Sequence, residues 1–320
     1  MHVLITGGAG YLGSKLTLHL LNKHHSVRVV DNLLHGPQDH LNDLALLPEF
    51  EFLEGDIRDE SLMLQALQGV DAVVHLAGIV GDPACAREPE LAREVNYTAS
   101  VALHGLAVAA GVKRFLFAST CSNYGRMANP DGYVSENSEL RPVSLYARSK
   151  VEFEQYLLAQ CEHGLPPAGM PVLLRFATLF GLSPRMRFDL TVNEFTRDLA
   201  LERRLVVYGE QFWRPYVHVQ DAARAILMAL QAPAEDVGGE VFNVGDTREN
   251  YRKGQLVAMI CDAVGGDLDV ERVKKDEDPR DYRVSFRRIH DVLGFEITRT
   301  VADGIQEVMT SLQVSAEQVS

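Results

Sequence analysis

Positive charge is scarce in this chain. Lysine and arginine together number 31 against 44 aspartates and glutamates, a net charge of −13 over 320 residues. A nucleic acid or an anionic membrane needs clustered positive charge, so neither is expected as a partner. Any phosphate the protein binds must be held by a few local basic groups or by backbone amides. Cysteine is scarce too: Cys85, Cys121, Cys161 and Cys261 lie far apart in sequence, with no CxxC pair or zinc spacing. The eleven histidines form no HxH or HExxH pattern, so no metal is expected. Four reduced thiols fit a cytoplasmic protein. No uncharged apolar run is long enough to span a bilayer. No signal peptide is expected either, because the chain passes from Met1 straight into the short run Val3-Leu4-Ile5.

What is present is a regular alternation. Apolar, β-rich runs at His2–Thr6, Ser26–Asp31, Phe50–Glu54, Ala72–Leu76, Phe115–Ser119 and Val172–Phe176 are separated by helical patterns near Leu12–Lys23, Ser61–Gln68, Ala92–Ala110 and Tyr146–Ala159. Continuous apolar runs suit strands covered on both faces. The spacing predicts βαβ units and a doubly wound parallel sheet, an α/β fold of Rossmann type. The second half is less regular. Turn signals cluster at Gly164–Pro171, Pro233–Gly239 and Gly265–Gly266, with helices expected at Leu190–Glu202, Gln220–Gln231 and Lys253–Val264. This division predicts a dinucleotide domain over 1–174 and a smaller, partly interleaved C-terminal substrate lobe over 175–320. The chain is expected to return to the main sheet near Tyr216–Val219 and Val241–Val244.

The strongest local signal is Thr6-Gly7-Gly8-Ala9-Gly10-Tyr11-Leu12-Gly13, which follows one predicted strand and opens a helix. Glycines there permit a tight turn and close approach of a pyrophosphate to free N–H groups at a helix start. The second run ends in Asp31-Asn32, where an acid accepts from ribose hydroxyls and repels a 2′-phosphate, favouring NAD over NADP. The third ends in Gly55-Asp56-Ile57, placing an acid near an adenine edge. Tyr146 and Lys150 share a helix face, so a lysine ammonium can stabilise the tyrosine phenolate as a general base. Ser119 and Thr120 end the preceding strand and offer hydroxyls to the same proton path. His75, at the end of an apolar strand, reads as a hydrogen-bonded structural residue.

Taken together these residues resemble the extended short-chain dehydrogenase/reductase superfamily, in its nucleotide-sugar epimerase/dehydratase branch of UDP-glucose 4-epimerase-like proteins. The resemblance covers nearly the whole chain. It rests on TGGAGYLGS at 6–14, DN at 31–32, GDIRD at 55–59, HLAG at 75–78, Asn96, STCSNYG at 119–125, YxxxK at 146–150, RPYVHVQD at 214–221 and FNVG at 242–245. It implies that Gly7, Gly10, Tyr11 and Leu12 hold the NAD pyrophosphate, that Asp31 and Asn32 hold the adenosine ribose, and that Asp56 and Ile57 meet adenine. Leu76, Ala77, Gly78, Asn96 and Ser119 would line the cofactor. Tyr146 would take the sugar hydroxyl proton, helped by Thr120, and Lys150 would hold the nicotinamide ribose. Arg214 would meet the substrate diphosphate, with Ser122, Asn193 and Arg280 as further substrate contacts. A homodimer through the helices containing Asn96–Ala110 and Tyr146–Ala159 is also implied.

The chain departs from the branch in instructive places. Its 4,6-dehydratases carry Asp-Glu directly after the strand-end threonine, and its xylose-forming decarboxylases usually place a Glu there. Here the positions hold Cys121 and Ser122. Thr178 stands where many relatives have Asn. Asp82 and Cys85 fall in a loop that relatives turn toward the sugar, and Arg185 and Arg187 add positive charge before the second-lobe helix. The resemblance therefore implies an NAD-dependent nucleotide-sugar 4-epimerase acting through a transient 4-keto sugar. The alternatives are a 4,6-dehydratase or 3- or 5-epimerase with Cys121 as proton carrier, and, less favoured, a non-catalytic dinucleotide-binding protein.

Overall fold

A computed structural model describes residues 1–127, 129, 132–162, 170–275 and 280–319, with side chains to residue 313. The turn expected over Gly164–Pro171 falls almost wholly outside the described residues. Strands β1 (His2–Thr6), β2 (Ser26–Asp31), β3 (Phe50–Glu54), β4 (Ala72–His75), β5 (Arg114–Thr120) and β6 (Pro171–Phe176) follow the expected runs to within a residue. The second half supplies β7 (Thr178–Phe180), β8 (Arg204–Tyr208), β9 (Trp213–His218), β10 (Val241–Val244), β11 (Asn250–Arg252) and β12 (Asp269–Val273).

The main sheet has seven parallel strands in the order β10-β6-β5-β4-β1-β2-β3. After β1 the chain winds to one side through β2 and β3. It then crosses back to β4 and winds to the other. The strand order thus reverses between β1 and β4, and a crevice opens there beyond the carboxyl ends of the strands. Alternation along each strand divides the core. Val3 and Ile5 pack with Leu16 and Leu20 of helix α1 (Tyr11–Leu21) and with Ile226 of the helix Val219–Gln231. Leu4 faces the other layer, with Leu103, Phe117 and Phe153.

Of the two stretches expected to return to the main sheet, Val241–Val244 does so against β6. Tyr216–Val219 does not. Its strand, β9, joins β7 and β11 in a separate three-stranded sheet, and β8 pairs with β12 in a third. A second core forms there from Phe180, Val192, Leu205, Tyr216, Leu256 and Ile305. The expected continuous helix over Ala92–Ala110 is also interrupted. It runs as Pro89–Arg93, a wide π-type stretch Glu94–Ala99, and Ser100–Ala109. Ser100 Oγ reaches the carbonyls of both Val95 and Asn96 at 3.1 Å, and also His75 Nε2 at 2.8 Å. That widened turn frees the Asn96 side chain for the crevice wall.

One buried ion pair ties the helix Leu145–Glu162 to the sheet. Arg175 on β6 donates to both Glu154 oxygens, from Nε to Oε1 at 3.0 Å and from Nη2 to Oε2 at 2.6 Å, with the two side chains 4% and 1% exposed. The Arg175 Nη1 also donates to the Tyr124 hydroxyl at 3.1 Å. Truncating one partner strands a buried charge. Glu154→Ala should therefore lower unfolding free energy by about 3–5 kcal/mol. Chemical denaturation measures this directly, and a loss below about 1 kcal/mol would show that the pair does not hold the helix in place.

Candidate active site

The dinucleotide end is shaped by glycine. Gly7 adopts φ +74, and a Cβ there would lie 2.7 Å from the Ala77 nitrogen; a Cβ on Gly13 would lie 2.3 Å from the Gly7 carbonyl oxygen. The turn is thus pressed against the segment following β4, with the N-terminus of α1 opening behind it. The first amides of a helix have no intrahelical acceptor, so they face the crevice as anion donors. Asp31 is bound into the same turn. Its Oδ2 accepts from Ala9 N at 3.0 Å and its Oδ1 from Leu33 N at 2.9 Å. At the ends of β2 and β3, Asn32 Nδ2 donates to Asp56 Oδ2 at 3.1 Å. The Arg58 guanidinium beside Asp56 holds that carboxyl below its usual range. Ile57 lies buried next to it.

The glycine turn therefore adjoins Asp31 on one side and the Leu76–Ala77 backbone on the other, and Asn32 joins Asp56 beside it. Asn96 clamps the segment following β4: its Oδ1 accepts from Ile79 N at 2.8 Å and its Nδ2 donates to Ile79 O at 3.0 Å. The Tyr11 ring is buried and its hydroxyl donates to Gly181 O at 2.6 Å, which leaves its backbone amide as the group through which it could hold an anion. The Leu12 side chain likewise packs on the core. A glycine cradle that a Cβ would fill, a helix start and an acid at the second strand end suit a dinucleotide.

The proton-handling end sits across β5. Lys150 is buried. Its Nζ donates to Ala118 O at 2.9 Å and lies 4.5 Å above the Phe117 ring and 5.9 Å from the Tyr146 ring. Burial pulls its pKa down to about 8. Burial pushes the Tyr146 phenol up, and the Arg187 guanidinium acts against that rise. Thr120 Oγ1 accepts from Ser122 N at 3.1 Å, capping the short turn Cys121–Tyr124. Ser119 is less available than expected, because its hydroxyl accepts from Asn123 Nδ2 at 3.1 Å within the Glu154 network.

Two expected residues are corrected. Cys121 turns away from the crevice: it is 1% exposed, and its Sγ donates to the Arg175 carbonyl at 3.2 Å. Burial raises its thiol well above the usual range, so it has neither the position nor the acidity of a proton carrier at the sugar. Asn193 is wholly used inside the protein. Its Oδ1 accepts from Gly181 N at 2.9 Å, and its Nδ2 donates to the Tyr11 hydroxyl at 3.2 Å and to Arg187 O at 3.0 Å. It builds the loop over α1 rather than meeting a substrate. Ser183 bolts the same loop down, donating to Tyr11 O at 2.6 Å.

Arg214 on β9 is 7% exposed and donates to Trp213 O at 2.7 Å. Arg280 pairs with Asp82 at 2.9 Å; Asp82 opens a short helix, Asp82–Arg87, where a loop was expected. Cys85 is fully buried and donates to Ile79 O at 3.2 Å, a structural thiol. His75 is held by Thr6 Oγ1 at 2.7 Å and by Ser100, with burial pulling its pKa down to about 3, as its structural reading requires. The sequence reading missed Tyr282, whose hydroxyl reaches Ser122 Oγ at 3.4 Å. No spacing motif marks it. Among the described residues no group of His, Cys, Asp and Glu is arranged to hold a metal. No described helix is long and apolar enough to cross a membrane.

A family model described as "NAD dependent epimerase/dehydratase family" matches residues 3–245. The chain belongs to that family. Its cofactor is NAD, in keeping with the glycine cradle described above. A UDP-glucose 4-epimerase of Erwinia amylovora is 28% identical over 97% of this chain and 96% of the relative. Among solved structures, a UDP-glucose 4-epimerase of Thermotoga maritima with UDP-glucose superposes with TM-score 0.86 at 27% identity, covering 99% of this chain and 100% of that one. A dTDP-glucose 4,6-dehydratase of Streptomyces venezuelae with NAD gives TM-score 0.86 at 28% identity, covering 99% and 98%. Epimerases and dehydratases thus stand equally near.

The depressed Lys150 has a measurable signature in the NAD-free protein. The unfolded lysine keeps its proton to about pH 10.4, whereas the native one releases it near pH 8. Its burial penalty is therefore complete below pH 8 and is relieved as pH rises toward 10. Wild-type stability should gain up to about 1.4 kcal/mol per pH unit across that window relative to Lys150→Met. Denaturant unfolding of both proteins from pH 7 to 10 reads the difference, and parallel curves would contradict a depressed lysine.

Proposed function

We propose that this protein is an NAD-dependent nucleotide-sugar 4-epimerase acting through a transient 4-keto sugar. The observation that carries the reading is the residue set after Thr120. The chain carries Thr120, Tyr146 and Lys150, a set suited to moving a proton at a hydroxyl, yet the two positions after Thr120 are Cys121 and Ser122 rather than an acid and a base. Cys121 faces the Arg175 carbonyl instead of the crevice. Eliminating water from a sugar needs a group that protonates a leaving hydroxide, and neither residue is suited to that.

In this reading the Tyr146 phenolate accepts the proton of the 4-hydroxyl, and Lys150 stabilises that phenolate by its charge. Thr120 orients the hydroxyl by hydrogen bonding. NAD, when bound, supplies the hydride acceptor and donor. Arg214 holds the diphosphate while the sugar turns over, and Tyr146 returns the proton once the configuration at C4 has inverted. Asp31 takes the adenosine ribose hydroxyls. A homodimer through the helices Ser100–Ala109 and Leu145–Glu162 completes the proposal, with Val108 40% exposed on the first of them.

The test is a panel of UDP-, dTDP-, GDP- and CDP-sugars given to the protein with NAD⁺, read by mass spectrometry and sugar NMR. The expected product has unchanged mass and altered ring couplings at C4; loss of one water would overturn the epimerase reading in favour of a dehydratase. With the substrate in hand, Tyr146→Phe should lower kcat/KM by at least about 10²-fold while NAD content is unchanged. Cys121→Ala should keep activity within about threefold of wild type, as expected for a side chain outside the reaction.

A further inference from the structure

Tyr282 reaches the crevice from the far end of the chain. The stretch from Asp281 to Ser285 pairs with Gly125–Met127 at one end and with Val134 at the other. Asp281 N donates to Gly125 O at 3.2 Å, Met127 N to Asp281 O at 3.1 Å, and both Val134 N to Arg283 O and Ser285 N to Val134 O at 2.8 Å. The Asp281 carboxylate also accepts from Trp213 N at 2.9 Å, tying the stretch to β9 beside Arg214. These backbone bonds fix Tyr282 before its side chain contributes anything.

The side chain then contacts two candidate substrate residues. Its ring is 2% exposed and tilts against Tyr124 at 6.5 Å between centroids. The Arg214 guanidinium carbon lies 5.6 Å from the Tyr282 centroid. A nearly buried guanidinium has lost most of its water, and a ring face both compensates its charge and restricts its rotamers. On its other side the Tyr282 hydroxyl points to Ser122 Oγ at 3.4 Å, and Ser122 N in turn donates to Thr120 Oγ1. A contact of that length shortens readily when a ligand closes the site.

We propose that Tyr282 is a positioning residue with two separable actions: its ring seats Arg214 for the substrate diphosphate, and its hydroxyl orients Ser122 and the Thr120 turn beside the sugar. The inference rests on the nucleotide-sugar reading of the site and adds to it a residue from the C-terminal lobe that controls both halves of substrate placement.

The experiment compares Tyr282→Phe, Tyr282→Leu, Ser122→Ala and the Phe/Ala double variant, all loaded with NAD. UDP and dTDP affinities come from calorimetry, and kcat and KM from whichever nucleotide sugar the wild type converts. Tyr282→Phe should keep nucleotide affinity and lower kcat several-fold. Tyr282→Leu should weaken nucleotide binding about tenfold through loss of the ring face. Ser122→Ala should lower kcat as Tyr282→Phe does, and the double variant should be no worse than either, since both remove one contact. Wild-type nucleotide affinity in Tyr282→Leu, or an equal loss in Tyr282→Phe, overturns the seating of Arg214. Additive losses in kcat overturn the orienting of Ser122. Where Tyr282→Leu fails to fold, Arg214→Lys keeps the charge without the flat stacking face, and unchanged UDP affinity in that variant overturns the seating as well. A wild type that neither binds a nucleoside diphosphate nor converts any nucleotide sugar overturns the functional reading itself, which keeps the two failures apart.

Discussion

The buried pair between Glu154 and Arg175 is the constraint on which the site's geometry rests. Glu154 lies one helical turn beyond Lys150, so fixing it on β6 sets how far the Tyr146 end of its helix projects over the sheet. The same carboxylate takes Asn123, and Asn123 takes Ser119, so the helix and the end of β5 are registered by one negative charge. In the low dielectric of the interior such a pair tolerates little displacement, because any partner that moves away leaves the other charge unsolvated. A reaction that needs Thr120 and Tyr146 at fixed separation gains from that intolerance.

A second constraint joins the lobes. The loop after β7 is bonded to the first turn of α1 through Tyr11, Ser14, Ser183 and Asn193, all buried. The helix whose N-terminus opens behind the glycine turn is therefore also the platform on which Arg187 is carried toward Tyr146. Cofactor groove and substrate wall share one foundation, which is why the second lobe has its own core yet does not separate from the first.

The sheet was largely legible in the sequence because both of its faces are covered, and burial on both sides writes strands as unbroken apolar runs. The placement of the glycine turn, of Asp31 and of Lys150 near Tyr146 was legible because it depends on local spacing. What stayed hidden depends on contacts distant in sequence. The end of β9, Tyr216–Val217, reads like part of a main-sheet strand, but its partners are β7 and β11, which no local pattern reveals. Cys121 and Ser122 are adjacent in sequence, yet one side chain enters the Arg175 network and the other faces the crevice. Asn193 reads as a free amide until the Tyr11 hydroxyl and the Gly181 amide claim it. Tyr282 arrives through backbone pairing across more than a hundred residues of chain.

Asp31 has a consequence for how this enzyme family changes coenzyme. Its carboxylate is a structural acceptor for the glycine turn as well as the group we assign to a ribose. Replacing it with a small neutral residue to admit a 2′-phosphate would release the Ala9 amide at the same time, loosening the cradle that must grip the pyrophosphate. A switch toward the phosphorylated dinucleotide in this chain therefore has two parts, a change that accepts the new charge and another that holds the Ala9 amide.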